Sequence, residues 1–104
     1  MSAIRVSAVE YLNARPLVHG LDGRSDLFDL QFDIPAQCSR QLHDGAVDLG
    51  LIPSIEYARD ADYRIVPGPA VASEGDVASV ALFTTRLATS LRSIAVDSSS
   101  RTAA

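Results

Sequence analysis

Three stretches of strand character, each followed closely by a proline placed to start a helix, constrain this chain more than any other feature. Ile4, Val6 and Ala8 alternate with Arg5 and Ser7, a strand ending near Glu10, and Asn13 precedes a short helix with Pro16 in its first turn. Leu17, Val18 and Leu21 form the apolar side of that helix. Phe28, Leu30, Phe32 and Ile34 alternate strictly with Asp29, Gln31 and Asp33, which predicts a half-buried strand with a solvated acidic face. Pro35 then opens a helix that Gly45 closes. Val47 to Ile52 is a compact apolar strand, and Pro53 with Ser54 starts a third helix running to about Arg59. Strand and helix in strict alternation imply an α/β fold: a mostly parallel sheet flanked by helices, with ligands bound beyond the carboxyl ends of the strands. The segments at Tyr11 to Asn13 and at Pro53 to Ser54 fall at those ends.

The remainder continues in the same language. Tyr63 to Val66 reads as a short strand, Pro67 to Gly75 as a long loop, and Val77 to Thr84 as a nearly continuous apolar strand containing one hydroxyl, Ser79. A brief helix over Leu87 to Leu91 and a strand over Ile94 to Val96 lead into Asp97-Ser98-Ser99-Ser100-Arg101-Thr102, which has the form of a strand-to-helix turn. A helix beginning there has only one or two turns before Ala104, too few to nucleate well, and this predicts that the chain is the front part of a larger fold.

Composition removes several classes of function. The net charge is -4 and the basic residues are dispersed, so no basic stripe offers itself to nucleic acid. All nine basic residues are Arg, which excludes a P-loop lysine and an imine-forming lysine within this segment. Cys38 is the single cysteine, at helical spacing from Ile34 and Leu42, and is expected to be buried rather than nucleophilic. Arg5 and Glu10 interrupt the first apolar stretch, so neither a signal peptide nor a transmembrane helix is read there, and a cytoplasmic location without membrane partners is expected. No spacing of metal ligands is visible and no cofactor is implied.

Candidate site residues each carry two readings. Ser98 to Thr102 joins hydroxyls, a guanidinium and a helix start, which suits a carboxylate, yet Ser98 or Ser99 as a helix cap beside a solvated Arg101 accounts for the same residues. Asn13 is either a helix cap or an amide directed into a cleft, and Ser54 has the same two options. Ser79 must find a hydrogen-bond partner, which a backbone carbonyl would supply as well as a ligand. His19 and His43 sit on helices, His43 where it complements a helix dipole, and Asp26, Asp29 and Asp33 are expected on a solvated face.

Five segments in order carry a resemblance: Tyr11-Leu12-Asn13-Ala14-Arg15-Pro16-Leu17, Leu49-Gly50-Leu51-Ile52-Pro53-Ser54-Ile55-Glu56-Tyr57, Tyr63-Arg64-Ile65-Val66-Pro67-Gly68, Ser79-Val80-Ala81-Leu82-Phe83, and Val96-Asp97-Ser98-Ser99-Ser100-Arg101-Thr102. Together they resemble the chorismate dehydratase family, which acts first in the futalosine route to menaquinone. Pro53 departs from the small polar residue expected there. The resemblance implies a type II periplasmic-binding-protein-like fold, with residues 1–85 as the first α/β lobe and 86–104 as the start of the second. It implies a lyase that removes water from chorismate to give 3-[(1-carboxyvinyl)oxy]benzoate, with no cofactor. Asn13 is similar to the family's catalytic asparagine. Tyr11, Ser54, Ser79, Ser99, Ser100, Arg101 and Thr102 match the substrate-binding segments. The matched motifs hold no His or Lys and, as carboxylates, only Glu56 and Asp97, and the substrate's own enolpyruvyl carboxylate could serve as the base if the protein holds it in place. The alternative of another class is a non-catalytic solute-binding protein of the same fold, carrying a small carboxylate. With only the opening of the second lobe, these residues alone are expected to be inactive.

Overall fold

The computed structural model describes residues 2–59, 62–77 and 80–99. Three strands, β1 (Ile4–Val9), β2 (Phe28–Asp33) and β3 (Leu49–Gly50), form one sheet in the order β2-β1-β3. Every pairing is parallel: β1 and β2 run in register from Ile4 opposite Phe28 to Val9 opposite Asp33, and β3 meets β1 at Val6 and Ser7. The helices are α1 (Arg15–Val18), α2 (Pro35–His43) and α3 (Ser54–Arg59), and single 3-10 turns lie at Leu12–Ala14 and Ala88–Ser90. The expected alternation of strand and helix is therefore present, as a small α/β unit with a parallel sheet.

β1 is the middle strand, flanked on both sides and with α2 packed against it, and Val6, Ser7, Ala8 and Val9 are all buried. Pro35 occupies the first turn of α2, where its missing N–H costs no hydrogen bond. The helix ends as Gly45 predicts. Gly45 adopts φ +75°, its N–H reaches the carbonyl of Leu42 at 3.2 Å, and the Ala46 N–H reaches that of Gln41 at 2.9 Å. Gly50 faces this helix: a Cβ added there would lie 3.4 Å from Leu42, in ordinary contact, so the space between β3 and α2 holds a methyl group but nothing larger without moving Leu42.

Two expectations about the sheet are corrected. Ser7, read as the polar side of an alternating strand, is wholly buried under α2. Asp33 was expected on a solvated face; it is partly buried and accepts hydrogen bonds from the Ser7 hydroxyl (2.8 Å) and the Gln31 amide (3.2 Å). The reason is the pairing of β1 with β2, which puts Arg5, Ser7 and Val9 in line with Asp29, Gln31 and Asp33 on the face that α2 covers. The Gln31 amide also donates to Gln41 of α2. The apolar row of Ile4, Val6 and Ala8 with Phe28, Leu30 and Phe32 lies on the opposite face, where Ile4 and Phe32 are about two-fifths exposed.

The second part of the chain differs from its expected strands. Among the described residues no strand forms over Tyr63 to Val66, Val77 to Thr84 or Ile94 to Val96, and the helix expected over Leu87 to Leu91 is the single 3-10 turn. Ile65, Leu82, Phe83, Leu87 and Ile94 are all exposed. Apolar residues give a strand the capacity to be buried, but its backbone groups need a paired neighbour, and these segments have none among the described residues. The radius of gyration is accordingly 16.3 Å, against about 13 Å for a compact domain of this length.

Candidate functional site

Because all three strands run the same way, the segments that follow them emerge on one edge of the sheet. The first carries Tyr11 and Asn13, the second leads through Ile34 into α2, and the third, through Pro53, into α3. Tyr11 is half exposed with extended backbone, and its carbonyl accepts from the Ala14 N–H at 3.0 Å. Asn13 is exposed within the 3-10 turn. It caps no helix: Ala14 holds the cap position of α1, without a side-chain cap bond. The capping alternative for Asn13 is therefore removed, and its amide faces no such competing demand. Ser54 is exposed as the first residue of α3.

The Asp97 to Ser99 segment reaches the same edge. The Ser99 carbonyl accepts from the Ala36 N–H at 3.1 Å, which satisfies one of the free donors in the first turn of α2. Ser99 is partly buried, and its N–H donates to Asp97 Oδ1 at 2.8 Å. That bond, given chiefly by the Ser99 backbone N–H, holds the Asp97 carboxyl below the usual carboxylate range. The turn expected at this point is present at Ser98 and Ser99, but the Ser99 N–H is already engaged rather than open to an external anion. Ser79, Ser100, Arg101 and Thr102 lie outside the described residues.

Cys38 has no exposed surface, as expected, although its surroundings are not purely apolar: the Ser7 hydroxyl donates to its Sγ at 3.2 Å. Burial pushes the thiol pKa up, against the requirement for a thiolate nucleophile. His43 ends α2, with Arg40 also in its last turn, and His19 stands at the C-terminal cap position of α1; both histidines are exposed. Asp26 is exposed and pairs with Arg24 at 3.2 Å. Among the described residues no three His, Cys, Asp or Glu side chains come together as a metal site, and no helix is long and apolar enough to cross a membrane.

Sequence reasoning missed three contacts. One is the Ser7–Asp33–Cys38 cluster beneath α2, whose signal was a hydroxyl inside a strand destined for the centre of a parallel sheet. The second is a clamp between Arg5 and Asp48: Arg5 Nη2 to Oδ1 at 2.9 Å, Nε to Oδ2 at 3.2 Å, and the Arg5 backbone N–H to Oδ2 at 2.9 Å. Each of the two interrupts an apolar strand, which was the available sign. Those bonds hold Asp48 at a pKa of about 2. The third is Arg15, whose Cζ stands 6.0 Å from the centroid of the Phe32 ring.

The chain matches a protein family described as menaquinone biosynthesis over residues 4–104. The chain belongs to that family. The match spans all five motifs that suggested it and assigns the chain to menaquinone biosynthesis. No solved structure matches the chain at a significant level. For a member of this family, the useful geometry is the shared edge of the sheet, where Tyr11, Asn13, Ser54 and the Ser99 turn are all carried on segments that follow or adjoin the carboxyl ends of parallel strands.

Proposed function

We propose that this chain forms the first lobe, residues 1–85, and the opening of the second, 86–104, of a cytoplasmic chorismate dehydratase with a type II periplasmic-binding-protein-like fold. The observation that carries the reading is the hydrogen bond from the Ala36 N–H to the Ser99 carbonyl. It ties the Asp97 to Ser99 segment to the carboxyl edge that also bears Tyr11, Asn13 and Ser54, as a cleft between two lobes requires.

Chorismate becomes aromatic by losing the proton at C3 and the hydroxyl at C4. The proton passes from C3 to the substrate's enolpyruvyl carboxylate, the C–H electrons become the new C3–C4 π bond of the ring, and the C4–O bond breaks with the hydroxyl leaving as water on the proton that the carboxylate took up. Holding that carboxylate against C3 makes the transfer intramolecular, where orientation supplies much of the rate. Asn13 orients the substrate and donates a hydrogen bond where negative charge develops. Tyr11, Ser54, Ser79, Ser99 and Ser100 supply polar contacts, while Arg101 and Thr102 grip a carboxylate at the second lobe.

The test follows the ultraviolet absorbance of the aromatic product formed from chorismate by the full-length protein, beside its N13A variant, with substrate binding measured by calorimetry. N13A is expected to lose about 100-fold or more in kcat with a much smaller change in binding. Equal turnover by the two proteins removes Asn13 from the chemistry. Binding of chorismate by the unaltered protein without any product marks a solute-binding protein instead.

A further inference from the structure

Leu12, Arg15, Pro16 and His19 recur at spacings of three and four residues, so they share one side of the continuous turn formed by the 3-10 segment and α1. Together they line a shallow open hollow, in which Leu12 is 86% exposed. Arg15 is anchored from below, with its Cζ 6.0 Å from the centroid of Phe32. Phe32 is the last apolar residue of β2 and is 42% exposed, so the contact sits towards the carboxyl end of the sheet. A guanidinium attracted to a ring face is steadied there, and its N–H groups remain available to a planar acceptor.

The charge of Arg15 has no carboxylate set against it among the described residues. The arginines paired there are Arg5 with Asp48, Arg24 with Asp26 and Arg59 with Glu56. A guanidinium held in one place, beside an apolar floor of Leu12 and Pro16, matches a ligand with a planar anionic group on an apolar body.

We infer that Arg15 is a specificity-determining residue: its guanidinium, steadied by Phe32, pairs with a carboxylate of the ligand bound at the carboxyl edge and selects dicarboxylates over monocarboxylates. This rests on the reading of that edge as the substrate site, and adds a cation from the first lobe to the one assigned to Arg101.

Calorimetric titration of the full-length protein with chorismate, with the unreactive dicarboxylate isophthalate and with benzoate separates the possibilities. R15Q is expected to raise Kd for both dicarboxylates by roughly tenfold to a hundredfold, the range for hydrogen bonds to a charged group, and to change benzoate binding far less. R15K restores only part of the loss, because an ammonium lacks the planar fork. F32L raises Kd by about twofold to fivefold, and adds nothing in the R15Q background, since its effect passes through the guanidinium. Unchanged dicarboxylate binding by R15Q, at an unchanged melting temperature, shows that Arg15 merely covers Phe32 and overturns the inference. An equal loss for benzoate overturns the selectivity. Dicarboxylate binding that depends on Arg15 but yields no aromatic product supports the inference while sinking the dehydratase reading; no binding of any of the three by the unaltered protein overturns both.

Discussion

Phe28 to Phe32 and Val80 to Phe83 are both apolar segments of strand character, yet one lies in a sheet and the other is exposed. The difference lies in what surrounds each. β2 has β1 alongside it in register over six residue pairs and α2 packed against the sheet. Val80 to Phe83 has no paired strand among the described residues, and Phe83 is 89% exposed. In residues 2–59 local signals and neighbours agree: proline starts, the Gly45 stop and the parallel register all favour one arrangement. In residues 62–77 and 80–99 the local signals are comparable, but no paired strand lies beside them among the described residues. Apolar patterning thus gives a strand here only where an adjacent strand takes up its backbone hydrogen bonds.

The largest expected effect breaks this comparison directly. Val6→Asp places an unpaired carboxyl at a site only 3% exposed, and is expected to cost several kcal/mol, enough to abolish cooperative unfolding of residues 2–59 in a urea titration followed by circular dichroism. Phe83→Asp changes a side chain already in water and is expected to shift the same transition by less than about 0.5 kcal/mol. A cost at Phe83 approaching that at Val6 means the second segment is packed after all.

Asp33→Ala sharpens the description of the first segment. It leaves the buried Ser7 hydroxyl with only the weaker Cys38 Sγ acceptor at 3.2 Å in place of the carboxylate at 2.8 Å, with an expected loss of about 1 kcal/mol measured by the urea midpoint. No loss would show that Asp33 is solvated, as its place in an alternating strand suggested. Gly50 offers a probe of the α2 approach. Gly50→Val must displace Leu42 and is expected to cost about 1–3 kcal/mol, whereas Gly50→Ala puts its Cβ at an ordinary contact distance and is expected to be nearly neutral.

The smallest effect concerns the Arg5–Asp48 clamp. The folded pKa of Asp48, about 2, is depressed below its ordinary value of 3.8. Its contribution is therefore complete above about pH 4 and is lost as the pH falls towards and through about 2. Asp48→Asn is expected to flatten that part of the stability profile, read as the urea midpoint between pH 5 and pH 2, and to leave the slope above pH 5 unchanged. The pair is about half exposed, so the change is small. An identical acid slope in the variant assigns it to other carboxylates.

Much of the first segment was legible because its signals are local. Pro35 and Gly45 bracket α2 through φ preferences that operate within a few residues, and Pro53 with Ser54 marks the start of α3 in the same way. The candidate edge was legible too, since alternating strands and helices imply parallel pairing, and parallel strands put their following loops together. Which face of β2 the second helix covers was not legible: alternation is symmetric until a register is chosen, and the pairing of Ser7 with Gln31 and Val9 with Asp33 chose it. For the same reason Asp33 reads as solvated in sequence and lies against Ser7 in the fold.

By itself, then, the sequence determined the order of the front elements, the burial of Cys38, the position of the Gly45 stop and membership of the menaquinone-biosynthesis family, all through residue preferences or motifs that need no distant partner. Tertiary structure alone decided the pairing of Arg5 with Asp48, the seat of Arg15 on Phe32, the polar cluster under α2 and the attachment of Ser99 to Ala36. Each of those joins residues at least 17 positions apart, as the shortest of them, Arg15 with Phe32, shows. Which of many possible partners meet over such separations is settled by the sheet's register and the closure of the intervening loops, not by local preference.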